Sequence, residues 1–210
     1  TLTGADVNLT AAAADGVAGF LNIEAIDFIN TSGTSTLTVN ANQFGAGKAK
    51  KDSVITGAAG IQNFVVDMTA PGSFDLSALT FSNWTEGSDT VTVNGSSGAD
   101  TITENPDAVD RVLAGAGDDT LVHIGPTVST FARYDGGDGT DILQAVQSCD
   151  FSGAASDGVD GFINIEGITF VDTSGSNIAR FDADQFGTGK ISTTSTITGD
   201  IRTQARVISP

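Results

Sequence analysis

Apolar and polar residues alternate in short runs along most of the chain. FLNIEAIDFIN (20–30), TLTVNANQF (36–44), QNFVVDM (62–68), FDLSALTF (74–81), DTVTVN (89–94), DTITEN (100–105), DTLVHI (119–124), TDILQA (140–145), FINIEGITFV (162–171) and IARFDADQF (178–186) keep a period near two and are rich in Ile, Val, Thr and Phe. That pattern predicts strands with one buried face, punctuated by Gly, Ser, Asn and Asp turns. Helix signals are weak, the best being the small-residue stretch from Leu9 to Gly19, which carries Gly16 and Gly19. Many short strands in series describe either a sandwich or a solenoid.

Repetition narrows the choice. Residues 15–57 return at 157–199 with a constant offset of 142, no gap, and 23 identities in 43 positions. The register continues toward the amino end, where Asn8-Leu9 matches Asp150-Phe151, and Leu2 falls within one residue of the place of Leu143. The expectation is a tandem array in a longer protein, with Thr1 just after an upstream copy of the segment that ends near Leu143.

Between the two copies lies a shorter repeat. GSSGADTIT (95–103), AGAGDDTLV (114–122) and GGDGTDILQ (136–144) fit G-G-x-G-x-D-x-U-x, with Gly98, Gly117 and Gly139 fourth, Asp100, Asp119 and Asp141 sixth, and Ile102, Leu121 and Leu143 eighth. Ser96 replaces one second glycine and Ala114 one first glycine, while Gly136-Gly137 has no departure. EGSDTVTV around Asp89 and DAVDRVLA around Asp110 are weaker half-matches. A nine-residue half-turn is a six-residue loop plus a three-residue strand, so loops on one edge of a solenoid recur about every 18 residues. The interval from Asp100 to Asp119 is close to that value, and the interval from Asp119 to Asp141 is lengthened by an insertion around IGPTVSTF (124–131). All three aspartates can therefore stack on one edge, which decides in favour of a solenoid.

Such loops suit a hard cation. Calcium takes 6–8 oxygens from carboxylates and carbonyls, and each loop offers about half a shell. An ion is expected between consecutive loops: one Ca2+ between Asp100 and Asp119, another between Asp119 and Asp141. The insertion makes the second interval the one in which the loops can be pushed apart.

Over about residues 86–144 the chain resembles the RTX, or haemolysin-type calcium-binding, repeat family, on the strength of those three motifs. The resemblance implies a right-handed parallel β-helix or β-roll, folding on calcium after export from a Gram-negative cell. It also implies that carbonyls at the first four motif places join the aspartates as ligands: Gly95, Ser96, Ser97 and Gly98; Ala114, Gly115, Ala116 and Gly117; Gly136, Gly137, Asp138 and Gly139. The flanking segments, with NIEAIDF, NIEGITF and QFGxGK, resemble calcium-free longer rungs of large bacterial surface proteins. The expected organisation is an all-β solenoid with a long-rung segment at 1–85, the calcium-binding turns at 86–144 and a second long-rung segment at 145–210.

Charge fits a cation partner. With 26 Asp plus Glu against 9 Lys plus Arg the formal charge is −17, which disfavours nucleic acid and anionic membranes. No apolar run is long enough to span a bilayer. Cys149 is the only cysteine, so there is no internal disulfide and no zinc site with several thiolates.

Sharper motifs fail on inspection. NQFGAGKAKKDS around Lys48 lacks the first glycine and the Ser or Thr of a phosphate loop and reads as a turn with a solvated Lys, repeated at Lys190. VDTSGS around Asp172 inserts a Ser before the glycine of an aspartic-protease loop, and GSSGA lacks nucleophile-elbow spacing. His123, the one histidine, has no evident nucleophile partner and reads as a residue near a rung end. Carboxylate pairs drawn from Asp118, Asp119, Asp135 and Asp138 lie within the cation loops. The sequence thus points away from an enzyme and toward a secreted or cell-surface scaffold of adhesin, filament or surface-layer type, with end-to-end self-association between copies. The runner-up is a secretion and folding module of an exported hydrolase, protease or polysaccharide epimerase.

Overall fold

A computed structural model describes residues 6–14, 19–30, 32–108, 110–171, 178–199 and 205–209. Leu2, Gly16 and Asp172 lie outside them. The described residues contain no α-helix, and every strand pairing is parallel. The architecture is a β-solenoid of about seven turns. Parallel neighbours separated by a full turn of chain bury their inward side chains in columns, which explains the period-two pattern.

The first face stacks Val7–Asn8, Thr34–Asn40, Ile61–Asp67, Thr90–Asn94, Asp110–Leu113, Arg133–Asp135 and Gly161–Ile163. Its inward column runs Val39, Val66, Val93, Val112, Tyr134, Phe162, all nearly inaccessible to solvent. The second face stacks Ser73–Asp75, Thr101–Thr103, Thr120–His123, Ile142–Ala145, Ile165–Phe170 and Ile191–Gly199. Its column is Phe74, Ile102, Leu121, Leu143, Ile168, Ile197. The apolar eighth residues of the three motifs are consecutive members of this column.

Among the described residues, strands of a third face occur only toward the two ends. Ile23–Asp27, Ala49–Thr56 and Thr80–Ser82 form one three-stranded sheet, and Cys149–Asp150, Ile178–Asp182 and Ala205–Ser209 form another. Both occupy the same place in the winding: Thr80–Ser82 follows Ser73–Asp75 and precedes Thr90–Asn94, while Cys149–Asp150 follows Ile142–Ala145 and precedes Gly161–Ile163. The register gives the reason for the gap. Along the second face, the turns from Ile102 to Leu121 and from Leu121 to Leu143 are shorter than those from Phe74 to Ile102, Leu143 to Ile168 and Ile168 to Ile197. The short motif turns have too little chain for a third strand.

The duplicated segments fold alike but lie on different faces. Val7–Asn8 and Thr34–Asn40 are on the first face, and their counterparts Cys149–Asp150 and Ile178–Asp182 are on the third. Ile23–Asp27 and Ala49–Thr56 are on the third, and their counterparts Ile165–Phe170 and Ile191–Gly199 are on the second. One sequence period therefore spans a whole number of turns plus two thirds of a turn. Local chemistry is preserved through the rotation. Ala41–Gln43 and Ala183–Gln185 are matching 3-10 turns closed by capping boxes, where the sequence pattern predicts strand. Gln43 Nε2 donates to the Leu9 and Ala12 carbonyls at 2.8 and 2.9 Å, and Gln185 Nε2 to those of Phe151 and Ala154 at 2.7 and 3.1 Å. The described part of the weak helix candidate is a turn in which Ala12 N donates to Leu9 O.

Candidate metal centre

Asp100, Asp119 and Asp141 each immediately precede a second-face strand, and the registers Thr101 to Thr120 to Ile142 place them one above another on the edge between the first and second faces. All three are at most 2 % exposed. They form a ladder along the solenoid. Asp100 Oδ1 accepts from Gly72 N at 2.8 Å, Asp119 Oδ1 from Asp100 N at 2.7 Å, and Asp141 Oδ1 from Asp119 N at 2.8 Å. Glu166 Oε2, one turn on, accepts from Asp141 N at 2.9 Å. Each carboxylate thus ties its own turn to the one before.

The second oxygens divide the three. Asp100 Oδ2 accepts from Ser96 N at 2.6 Å. Asp119 Oδ2 and Asp141 Oδ2 are buried and have no hydrogen-bond partner. A buried carboxylate oxygen without a donor is costly, and the protonation equilibria register it. Burial, opposed by the backbone hydrogen bond and assisted by neighbouring carboxylates, raises the Asp119 carboxyl above its ordinary range and pushes Asp141 up to about 6. The half-match at Asp89 behaves like Asp100: its Oδ1 accepts from Gln62 N at 2.8 Å and its Oδ2 from Thr85 N at 2.7 Å.

The backbone of the loops follows the same division. Gly115, Gly117, Gly137 and Gly139 have φ of +104°, +125°, +92° and +147°. Their equivalents in the first loop, Ser96 and Gly98, are not among the left-handed residues. The loops of Asp119 and Asp141 are in direct contact: Gly117 N donates to Asp138 O at 2.8 Å and Asp138 N to Gly115 O at 2.9 Å. A Cβ on Gly137 would lie 2.0 Å from Gly115 O, and one on Gly139 would lie 1.9 Å from Gly117 O. Only glycine permits this approach.

The insertion at 124–131 does not separate these loops. It follows the strand Thr120–His123 and so lies on the opposite edge of the turn, which corrects the expectation that it can push these two loops apart. Of the carbonyls in the expected ligand set, those of Gly115 and Asp138 each accept one loop-to-loop bond and keep a second lone pair. Ser97, Asp138 and Gly139 are exposed at the loop tips, and Gly95, Gly98, Ala116, Gly117 and Gly137 are partly buried. Gly136 and Ala114 are buried, and Gly115 is exposed. Among the described residues no three acidic, His or Cys side chains converge as a metal-binding cluster. An ion here would take one carboxylate oxygen per interval and the remainder from carbonyls and water, a donor set suited to calcium.

A second cluster has no counterpart in the pattern of motifs. His123 Nδ1 lies 2.6 Å from Glu104 Oε1, and its Nε2 lies 3.0 Å from Cys149 Sγ. Glu104 Oε1 also accepts from Ile124 N at 2.9 Å and Gly125 N at 3.2 Å, and Tyr134 Oη donates to Glu104 Oε2. Glu104, His123, Tyr134 and Cys149 are all at most 4 % exposed. His123 does end a strand, as expected, but it has a sulfur partner that is distant in the chain and one turn away in space. Burial, with Glu104 and Asp150 nearby, pushes the Cys149 thiol far up, so the sulfur beside His123 Nε2 is a neutral thiol rather than a thiolate.

The remaining candidates are turn chemistry. Lys48 Nζ donates to Asn42 O and Lys190 Nζ to Asp184 O, both at 2.8 Å, each closing its own loop. Asp118 Oδ1 accepts from Thr140 N at 2.9 Å, and Asp135 pairs with Arg133 at 2.6 Å. Comparison with protein families, with curated proteins and with solved structures finds no match to this chain.

Proposed function

We propose that the chain is a calcium-stabilised structural segment of a secreted or cell-surface bacterial repeat protein, a scaffold of adhesin, filament or surface-layer type. The observation that carries this reading is the pair of buried, partnerless oxygens, Asp119 Oδ2 and Asp141 Oδ2, in stacked glycine loops. Calcium neutralises both carboxylates and ties each loop to its neighbour. Asp119 serves the interval toward Asp100 and Asp141 the interval toward Asp119. Carbonyls of Ala114 to Gly117 and Gly136 to Gly139 complete the oxygen set with water. Asp100 acts as a metal-free plug, its charge held by two backbone amides.

Function then lies in coupling metal to mechanical integrity. The motif turns are the thinnest part of the solenoid, lacking the third face, and in a chain of charge −17 their stacked carboxylates repel one another until a cation neutralises them. Each ion stabilises by RT ln(1 + [L]/Kd), about 2.7 kcal/mol at calcium about 100-fold above Kd. The test is the melting temperature of chelator-treated protein with calcium or magnesium restored. A rise with calcium that magnesium does not reproduce supports the reading, because Mg2+ demands a tighter octahedral shell. Equal melting temperatures in chelator and calcium contradict it.

A further inference from the structure

The amino-terminal end of the solenoid carries an apolar groove of about 160 Å³. Leu9, Phe20, Ile23, Ile26, Val39 and Phe44 are among the residues that line it. The strand Ile23–Asp27 runs along it and is the edge of its sheet among the described residues, paired there with Ala49–Thr56 alone. An apolar groove beside an unpaired strand edge is a surface that another strand can complete.

The duplication shows what covers such a groove. At the offset of 142, Leu9, Phe20, Ile23 and Ile26 correspond to Phe151, Phe162, Ile165 and Ile168. The first four are only partly buried, whereas the second four are at most 2 % exposed. What differs is the turn packed ahead of the second copy. His123 lies against Phe151 with ring centroids 4.9 Å apart, Tyr134 stacks on Phe162 at 5.4 Å, and Leu143 is the register partner of Ile168. Leu9 and Val39 stand where Phe151 and Phe181 do, and Leu37 where Ala179 does, so the first-copy surface is apolar throughout.

The polar groups of the edge match as well. In the second copy Glu166 N and Gly167 N each donate to Asp141 O at 2.9 Å, and Asp141 N donates to Glu166 Oε2 at 2.9 Å, which extends the aspartate ladder by one step. The counterparts of Glu166 and Gly167 are Glu24 and Ala25, both exposed. Glu24 pairs with exposed Lys50 at 3.0 Å, and its side chain is 60 % exposed.

We propose that this end seats the last motif turn of a preceding repeat unit, a turn of the kind that runs from Thr120 to Asp141. The closing aspartate of that turn donates its backbone amide to Glu24 and accepts from the Glu24 and Ala25 amides, while its inward rings cover Leu9 and Phe20. The carboxylate ladder then passes from one unit to the next. This rests on the repeat-scaffold part of the reading above and not on calcium.

The test joins residues 86–141 directly ahead of Thr1 of the full chain, so that the added Asp141 precedes Thr1-Leu2 as the resident one precedes Ile142-Leu143. In saturating calcium, hydrogen exchange at the Glu24 and Ala25 amides should be at least about tenfold slower in the extended chain than in the original. Glu24→Ala should lower the melting temperature of the extended chain by several degrees and leave that of the original, where Glu24 pairs with exposed Lys50, nearly unmoved. Equal exchange in both chains, or an equal loss on Glu24→Ala in both, overturns the proposal. Protection already present in the original chain means that its own residues or a second copy close this end, and overturns it too. Melting of the original chain in chelator and in calcium reads the metal separately, so a failure there leaves the seat standing.

Discussion

The loops ending at Asp100 and Asp141 carry the same motif and use it differently. In the first, Ser96 stands where a left-handed glycine is needed, its amide points at Asp100 Oδ2, and the carboxylate is satisfied by protein alone. In the other, Gly137 and Gly139 take φ of +92° and +147°, and Asp141 Oδ2 has no donor. One side chain at the second motif place thus separates an aspartate whose two oxygens are both satisfied from one whose second oxygen is buried without a donor. On the proposed calcium reading, a motif count overstates the number of aspartates free to bind metal, and the backbone conformation decides which copies are.

The largest effect that sharpens this comparison is expected from Asp141→Ala. It removes one ion and leaves the buried Asp119 N–H without its acceptor, for a combined loss of about 4 kcal/mol in saturating calcium. Calcium-dependent melting and stoichiometry, which should fall by one ion, check it. Next comes Gly139→Ala against Gly98→Ala. The former forces a side chain into left-handed backbone and onto Gly117 O, costing about 3 kcal/mol. The latter meets only the ring of Pro71 at 2.6 Å and should cost about 1 kcal/mol, so equal losses in chemical denaturation would break the comparison.

Asp100→Asn should cost about 1–2 kcal/mol through its lost amide bond and leave the calcium stoichiometry unchanged. A lost ion would show Asp100 to be a ligand. The smallest effect concerns pH. Asp141 holds its proton up to about 6 when folded, above its ordinary value of 3.8, so the folded metal-free chain binds protons more tightly than the unfolded chain between those values. Its contribution to stability is present below about pH 4 and lost as pH rises through about 6. Melting curves of metal-free protein from pH 4 to 7 should therefore show a decline that Asp141→Asn reduces.

Much of the solenoid was legible because its physics is periodic. The Ile102, Leu121, Leu143 column follows from motif spacing, and the stacking of the aspartates follows with it. The strand Ala49–Thr56 escaped because Lys50, Lys51 and Asp52 interrupt its alternation, all three exposed, with Lys50 paired to Glu24 at 3.0 Å. The rotation of the two copies onto different faces was hidden because identity at an offset of 142 measures sequence period. Face depends instead on turn length, which is shortest from Ile102 to Leu121 and much longer from Val7 to Leu37. Asp100 looked like its neighbours because the motif scores residue type, and the decisive difference is the torsion at the second place. The meeting of His123 with Cys149 required knowing how much chain makes one turn at that level, a length set by the insertion.

The most direct test of the central claim is calorimetric calcium titration of chelator-stripped protein, with far-ultraviolet circular dichroism recorded at each end point. The account predicts saturable binding of about two ions with a gain in β signal, since Asp119 and Asp141 each supply one interval. Absence of binding heat, with full β signal already present in chelator, would contradict it and make all three aspartates plugs of the Asp100 kind.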